Sequence, residues 1–503
     1  GHTTIPSDTT KLPTKIVAAG YTITMPGSTM DVTGVTFDSV GHLTLTDANS
    51  QITMSPNQAT AFNANTVTMN GGAILITSGG DLNSQDLSNV TLTLNADTTM
   101  VDANGDLPLS INADSNAITV NDTLDVTGVT LTNLGTVSVA STKTLTALAS
   151  QMTGQTVSGA GNLALTTGTA ATEYTFSSFS NGGTKSIAYS TGGTVHSNFS
   201  TYVNGFTITV AGGQTLTLSE AQAASDLAKI STATSVIVGA VTDTSKSDVI
   251  TGIAKIAANG ITAITVTGTE FETITDANAS GLQDAAATFS ASVTDAAQIQ
   301  DVADHAAKVA ADGIKAAHGI NLSGAQFTTI TDANADGLQD ASVTFVSAVT
   351  DADEVGDVVD HIAKVKTDGV TAITFANDAA VESGKAAIAD DAIAANSITL
   401  TNGAISTSQV ATLASITKFK ANQIDAITFA NDAAVESGKA AIADDAIAAN
   451  SITLTNGAIS TSQVATLASI TKFKADQIDA ITFANDAAVE TDKAAIADDA
   501  MRR

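Results

Sequence analysis

The run Asp332-Ala333-Asn334-Ala335-Asp336-Gly337-Leu338-Gln339-Asp340 puts side-chain oxygens at positions 1, 3, 5 and 9, glycine at 6 and the Leu338 carbonyl at 7. This is the spacing by which a backbone turn wraps hard oxygen ligands around calcium. Position 12 is Val343, where an EF-hand carries a bidentate Glu, so the run is closer to the shortened Asp-rich calcium loops of secreted proteins. An earlier copy keeps Asp276, Asn278 and Asp284 but has Ser280 for the third ligand. In the competing reading, Thr331 or Asp332 caps a short Ala-rich helix and the other acids are solvated. Asp102-Ala103-Asn104-Gly105-Asp106 is a weaker relative and reads as an Asx turn between strands.

Other chemistry is sparse. His305 and His361 each follow an Asp at equivalent repeat positions, and this tandem duplication points to helix-face residues rather than catalytic ones. There is no nucleophile elbow, phosphate-binding glycine loop, dinucleotide fingerprint or zinc-binding His-Glu-Xaa-Xaa-His. The lack of cysteine removes disulfides, thiolate metal sites and cysteine nucleophiles together. Sugar cleavage needs paired carboxylates beside aromatic or basic subsites, and the first 215 residues hold few aromatics and no Arg. Thr-Xaa-Thr runs could array hydroxyls for ice or glycan, but strands favour β-branched Thr in any case. Asn89-Val90-Thr91, Asn121-Asp122-Thr123 and Asn198-Phe199-Ser200 are glycosylation sequons.

Fifty acidic against twenty basic residues give a formal net charge of -30, a field that repels phosphate backbones and leaves nucleic acid out as a partner. The same carboxylates serve solubility and can attract divalent cations. No run of about 18 apolar residues is present to span a bilayer as a helix. The opening Gly1-His2-Thr3 carries no basic and apolar leader, so a removed leader or an excised fragment is expected.

The elements that would position these residues change character along the chain. Residues 1–215 alternate at period two, as in Tyr21-Thr22-Ile23-Thr24-Met25, His42-Leu43-Thr44-Leu45-Thr46, Val90-Thr91-Leu92-Thr93-Leu94 and Phe206-Thr207-Ile208-Thr209-Val210. Tight-turn signals such as Asn70-Gly71-Gly72, Ser78-Gly79-Gly80 and Gly192-Gly193 separate them. Asp31-Val32-Thr33-Gly34-Val35-Thr36 returns as Asp125-Val126-Thr127-Gly128-Val129-Thr130. Recurrence without a fixed period predicts a β-solenoid or a stack of β-sandwich modules. Near Leu216-Thr217-Leu218-Ser219-Glu220 helical spacing takes over, in Ala221 to Ile230 and Val249 to Ala258.

Residues 216–370 contain a duplicated unit: FETITDANASGLQD from Phe271 returns as FTTITDANADGLQD from Phe327, an offset of 56. Residues 371–503 repeat almost letter for letter at 54, from Ala372, Ala426 and Ala480, the first two copies agreeing until Asn422 becomes Asp476. Each copy divides into two stretches of about 27 residues, strand then turn then helix, the pattern of an α/β solenoid. The first runs from Ile373 through Lys385 to Ala395, the second from Ile398 through Gln409 to Lys420. Solenoids need capped ends, and the third copy stops after Asp499-Ala500, so continuation of the parent chain or docking of the open end on another copy is expected.

Thr/Ser/Asn-rich strands, no cysteine, strong acidity, Ala-Asp helices, Asp-rich loops and tandem copies together resemble bacterial surface-layer proteins and giant secreted adhesins. The resemblance is one of style, without a diagnostic motif, and the glycine-rich nonapeptide calcium repeats of such proteins are missing. It implies an extracellular, cell-surface, non-enzymatic chain that self-assembles into a layer or filament, with calcium as the candidate ion and cell-surface glycan as the candidate further partner. The alternatives are the stalk of a large adhesin and, less well supported, a β-solenoid polysaccharide enzyme.

Overall fold

The computed structural model describes residues 115–176, 178–405, 418–438, 450–460 and 477–491 continuously, together with shorter pieces elsewhere. Strands and helices are mixed, and the strands form many short sheets that do not close into a barrel among the described residues. Every strand pairing among those residues is parallel. Paired residues lie between 18 positions apart (Thr144 with Asn162) and 27 (Val293 with Ile320), so the chain returns to a neighbouring, in-register position again and again. Each such return is one rung. Antiparallel hairpins, the hallmark of sandwich modules, do not occur among the described pairs.

Two compact units divide the chain, Gly1–Val238 with Ala254–Ala257, and Gly239–Ile253 with Ala258–Arg503. In the first, β1 (Thr144–Leu148), β2 (Asn162–Thr167), β3 (Lys185–Tyr189) and β4 (Thr207–Val210) pair in that order. Period-two alternation sends Leu145, Ala147, Leu163, Leu165, Ile187 and Ile208 inward and Thr or Ser outward. The four alternating runs named above are strands at Thr22–Met25, His42–Leu45, Thr91–Leu94 and β4. The Gly192-Gly193 turn needs its glycines: a Cβ at Gly192 would stand 2.3 Å from the Thr215 carbonyl oxygen, and Gly193 has φ +128. Asn70-Gly71-Gly72, Gly79-Gly80 and Asp102 to Asp106 lie outside the described residues.

Among the described residues, helices longer than four residues begin where the period changes, at α1 (Glu220–Asp226), whose N-cap Ser219 forms a capping box with Gln222. Among the described residues of the second unit, helices alternate with strands of two to six residues. The strands are β5 (Ile261–Val266), β6 (Ala287–Phe289), β7 (Ile320–Leu322), β8 (Val343–Phe345), β9 (Ile373–Phe375) and β10 (Ile398–Leu400). The longer helices are α2 (Gly268–Asn278), α3 (Ala296–Asp304), α4 (Gly324–Asn334) and α5 (Ala352–Asp360), capped by Thr267, Asp295, Ser323 and Asp351. The duplication is visible in the core, where Phe271 meets Phe289 and Phe327 meets Phe345, each pair 5.2 Å between ring centroids. Phe375 and Phe429 are buried at matching points of the 54-residue copies. The second half of the copy from Ile398 lies partly outside the described residues, from 406 to 417.

One backbone feature recurs at rung spacing among the described residues of this unit. Asn259, Ala285, Asp312, Ala341, Asp368, Asn396, Asn422 and Asn450 all have positive φ, between +51 and +62, and follow one another at 26 to 29 residues. At Ala285 and Ala341 the bend aims the backbone N–H at a carbonyl of the next rung, Ala307 and Ala363, at 2.9 Å each. Asn tolerates this conformation and Ala does not, at a cost of about 1–2 kcal/mol. Ala341→Asn is therefore expected to stabilise the unit by about 1 kcal/mol, and Asn422→Ala to destabilise it similarly, read as opposite shifts of the urea midpoint.

Candidate functional site

The Asp-rich run is not a loop. Asp332 and Asn334 belong to the last turn of α4, and Asp336 to the 3-10 turn Ala335–Gly337 that follows. Thr331 and Asp332 stand inside the helix, so neither is its cap; Ser323 is, eight residues before Thr331. The side-chain amide of Asn334 donates to the carbonyl oxygens of Ala306, at 3.2 Å, and Val309, at 2.8 Å, on the preceding rung. Asp340 pairs with Lys364 Nζ at 3.2 Å, one rung later. Leu338 is fully buried.

The earlier copy repeats this arrangement. Asp276 lies exposed in the last turn of α2. The amide of Asn278 donates to the Ile253 carbonyl at 3.1 Å, and its oxygen accepts from Ser280 Oγ at 2.8 Å. Lys308 Nζ reaches both Asp284, at 2.8 Å, and the Leu282 carbonyl, at 2.9 Å. Among the described residues no group of three or more acids or histidines is arranged to hold a metal ion. Around this spacing lies a pair of links between rungs, an amide reaching back and a lysine reaching back. Sequence reasoning missed Lys308 and Lys364, although their offset of 24 from Asp284 and Asp340 was available in both copies.

The first unit uses the same device with glutamine. In both copies of the Asp-Val-Thr-Gly-Val phrase the Asp carboxylate (Asp31, Asp125) accepts from the N–H of the Thr two residues on, at 2.9 Å, and from its hydroxyl, at 2.7 Å. This turn leaves two Val carbonyls facing the next rung. Gln151 donates to those of Val126 and Val129 at 2.8 and 2.7 Å, and Gln58 makes the equivalent pair to Val32 and Val35. Gln222 likewise reaches the His196 carbonyl at 2.8 Å.

One buried acid–base grouping is Ser200, Ser225, Asp226 and Lys229. The Asp226 side chain has no exposed surface, and its two oxygens are occupied by Lys229 Nζ, at 2.6 Å, and Ser200 Oγ. Saturated in this way, it ties α1 to the short helix Phe199–Tyr202 of the previous rung. Nearby, Tyr174, Phe176, Tyr189, Phe199, Tyr202 and Phe206 form a buried ring cluster rather than a sugar platform. Burial pushes the Tyr189 hydroxyl well above its ordinary range and that of Tyr202 to about 12, and the two hydroxyls lie 3.3 Å apart. His305 and His361 are the C-caps of α3 and α5, where His305 Nδ1 lies 3.2 Å from the Asp301 carbonyl oxygen and the His361 ring meets Phe327 edge-on. Of the sequons, Asn121 is exposed, the Asn198 amide donates to Glu173, and Asn89 lies outside the described residues.

No protein-family model matches this chain, and neither a curated protein nor a solved structure shows significant similarity to it. No helix among the described residues is long and apolar enough to cross a membrane.

Two consequences can be measured. Asn334→Asp keeps an oxygen that calcium could use but removes both donated bonds and sets a carboxylate against two carbonyls. It is expected to lower stability by about 2 kcal/mol, with calcium failing to restore it; recovery in calcium would instead mark a ligand. Separately, the Ser460 N–H, 2.9 Å away on the next rung, holds the Asp432 carboxyl below its ordinary 3.8. A lowered folded pKa stabilises fully above the unfolded value and is lost as pH falls through the folded one. Acid titration below pH 4 should therefore weaken the native chain more steeply than Asp432→Asn, as read by circular dichroism.

Proposed function

We propose that this chain is a non-catalytic extracellular structural protein that self-assembles into a surface layer or filament on a microbial cell. In this reading the rungs are solenoid coils, β-built through about residue 215 and α/β-built from 216 to 503, and the product is a stiff protective coat. The observation that carries it is the recurring parallel pairing of rungs 18 to 27 residues apart, extended by copies that repeat almost letter for letter at 54. Identical rungs present identical faces, and identical faces on many molecules can meet in one repeated geometry. The polar side chains described above support the same view, since each links one rung to the next rather than converging on a cleft. Calcium belongs to the proposal as a candidate stabiliser of the assembly, and cell-surface glycan as a candidate anchor.

Negative-stain electron microscopy of the purified chain, in calcium and then in excess chelator, tests this. Sheets or filaments are the expected result. Their dissolution in chelator would make the assembly calcium-linked and return Asp332, Asn334, Asp336 and Asp340 as ligands; persistence would leave a coat held without the ion. Isolated rods under every condition would overturn the coat and favour the adhesin stalk.

A further inference from the structure

We infer that the 54-residue copies are interchangeable in the stack, so that residues 372–425 can leave it as a loop while residues 426–479 take their seat on the rung before. The two segments differ at one position, Asn422 against Asp476. They also sit alike. Ile373 pairs with Ile398 and Ile427 with Ile452, and Val381 and Val435 are both fully buried. Asn377 caps its helix at the Ala380 N–H and Asn431 at the Ala434 N–H, 3.0 Å each. The edges that receive the two copies match as well: Val349 and Val370 receive Ile373 and Ile393, and Ile405 and Ile424 receive Ile427 and Ile447. Each edge offers two β-branched aliphatic residues at the same two places, and the second copy already occupies one such edge.

A strand slipped by one residue turns its apolar side chains to solvent, which is why register is ordinarily fixed. A slip of 54 escapes that penalty, because every inward position receives the residue type it already holds, with the single exchange at 422. Asn422 is exposed with φ +59, a place that Asp fills at 312 and 368 with φ +51 and +52. What is lost is the rungs of one copy, and in a repeat stack each rung contacts only its neighbours, so the loss stops at the junction. The result is length held in reserve. A pull along the chain draws out 54 residues, about 180 Å at about 3.4 Å each, and the stack closes behind them. The chain has no cysteine, so no disulfide locks a copy in place.

Deletion of residues 372–425 makes the slipped junction the only one open to the chain. This variant should keep a cooperative circular dichroism melt, and loss of that melt would overturn the inference. In the full chain the slip is read by engineered thiols. Thr350 and Thr428 are exposed and directly follow Val349 and Ile427. In the native register they stand three rungs apart, at least about 14 Å, and after the slip one rung apart, about 5 Å. A disulfide needs Cα atoms closer than about 7 Å. Thr350→Cys with Thr428→Cys should therefore oxidise within one molecule in urea below the unfolding midpoint. It should do so at least tenfold faster than Thr350→Cys with Thr453→Cys, a pair still two rungs apart after the slip. Equal rates for the two pairs would mean general unfolding, a disulfide between two molecules would mean exchange between chains, and no disulfide would mean a fixed register. Each of these three results overturns the inference.

Discussion

Every rung depends on finding a partner for the backbone groups that its short strands leave over. A parallel ladder of three residues satisfies only a few N–H and C=O groups, and the turns that close each rung expose more. A buried carbonyl without a donor costs about 1–3 kcal/mol, and such carbonyls return with every rung. The chain answers with donors placed one rung away: Gln58 and Gln151 on the Asp-Val-Thr-Gly-Val turns, Asn278 and Asn334 on the helix ends, Lys308 on the Leu282 carbonyl. Positive φ at positions such as Ala341 belongs to the same economy, because the bend turns an N–H toward a carbonyl that would otherwise lack one.

Given that frame, the core can be thin. Each rung contributes a few aliphatic side chains, and a phenylalanine in one rung is met by another in the next, as Phe271 by Phe289. Among the described residues a larger group of rings gathers between Tyr174 and Phe206, where the hydroxyls of Tyr189 and Tyr202 find each other inside. A cluster of that size gives this stretch a unique register, since sliding it by one residue would turn its rings to solvent.

Much of this was legible in the letters, and what was not has a physical explanation. The strand at Thr22–Met25 and the helix onset at Glu220 follow from periodicity, which local sequence carries. The 56- and 54-residue offsets follow from comparison of the chain with itself. Alternation alone leaves a parallel and an antiparallel neighbour indistinguishable, because inward and outward positions alternate in both. The Asp-rich run reads two ways for a related reason. Asp, Asn and Gly at short intervals are what an oxygen-lined loop needs, and also what a helix end needs when it stops, bends and donates an amide to its neighbour. The lysine at an offset of 24 belongs to the second use, and it has meaning only once residues one rung apart are known to be adjacent.

Charge follows the same logic at a larger scale. Inside the molecule, acids are paired across rungs with lysines, as Asp122 with Lys143 and Asp284 with Lys308. Basic residues number only 20 against 50 acids, so most carboxylates have no cationic neighbour of their own and face solvent. Exposed ion pairs add little individually, so the pairs specify which rung sits on which more than they hold the rungs together. The unpaired majority then decides where another molecule can approach. A net charge of -30 makes copies of this chain repel one another, so contact between them costs least where carboxylates are fewest.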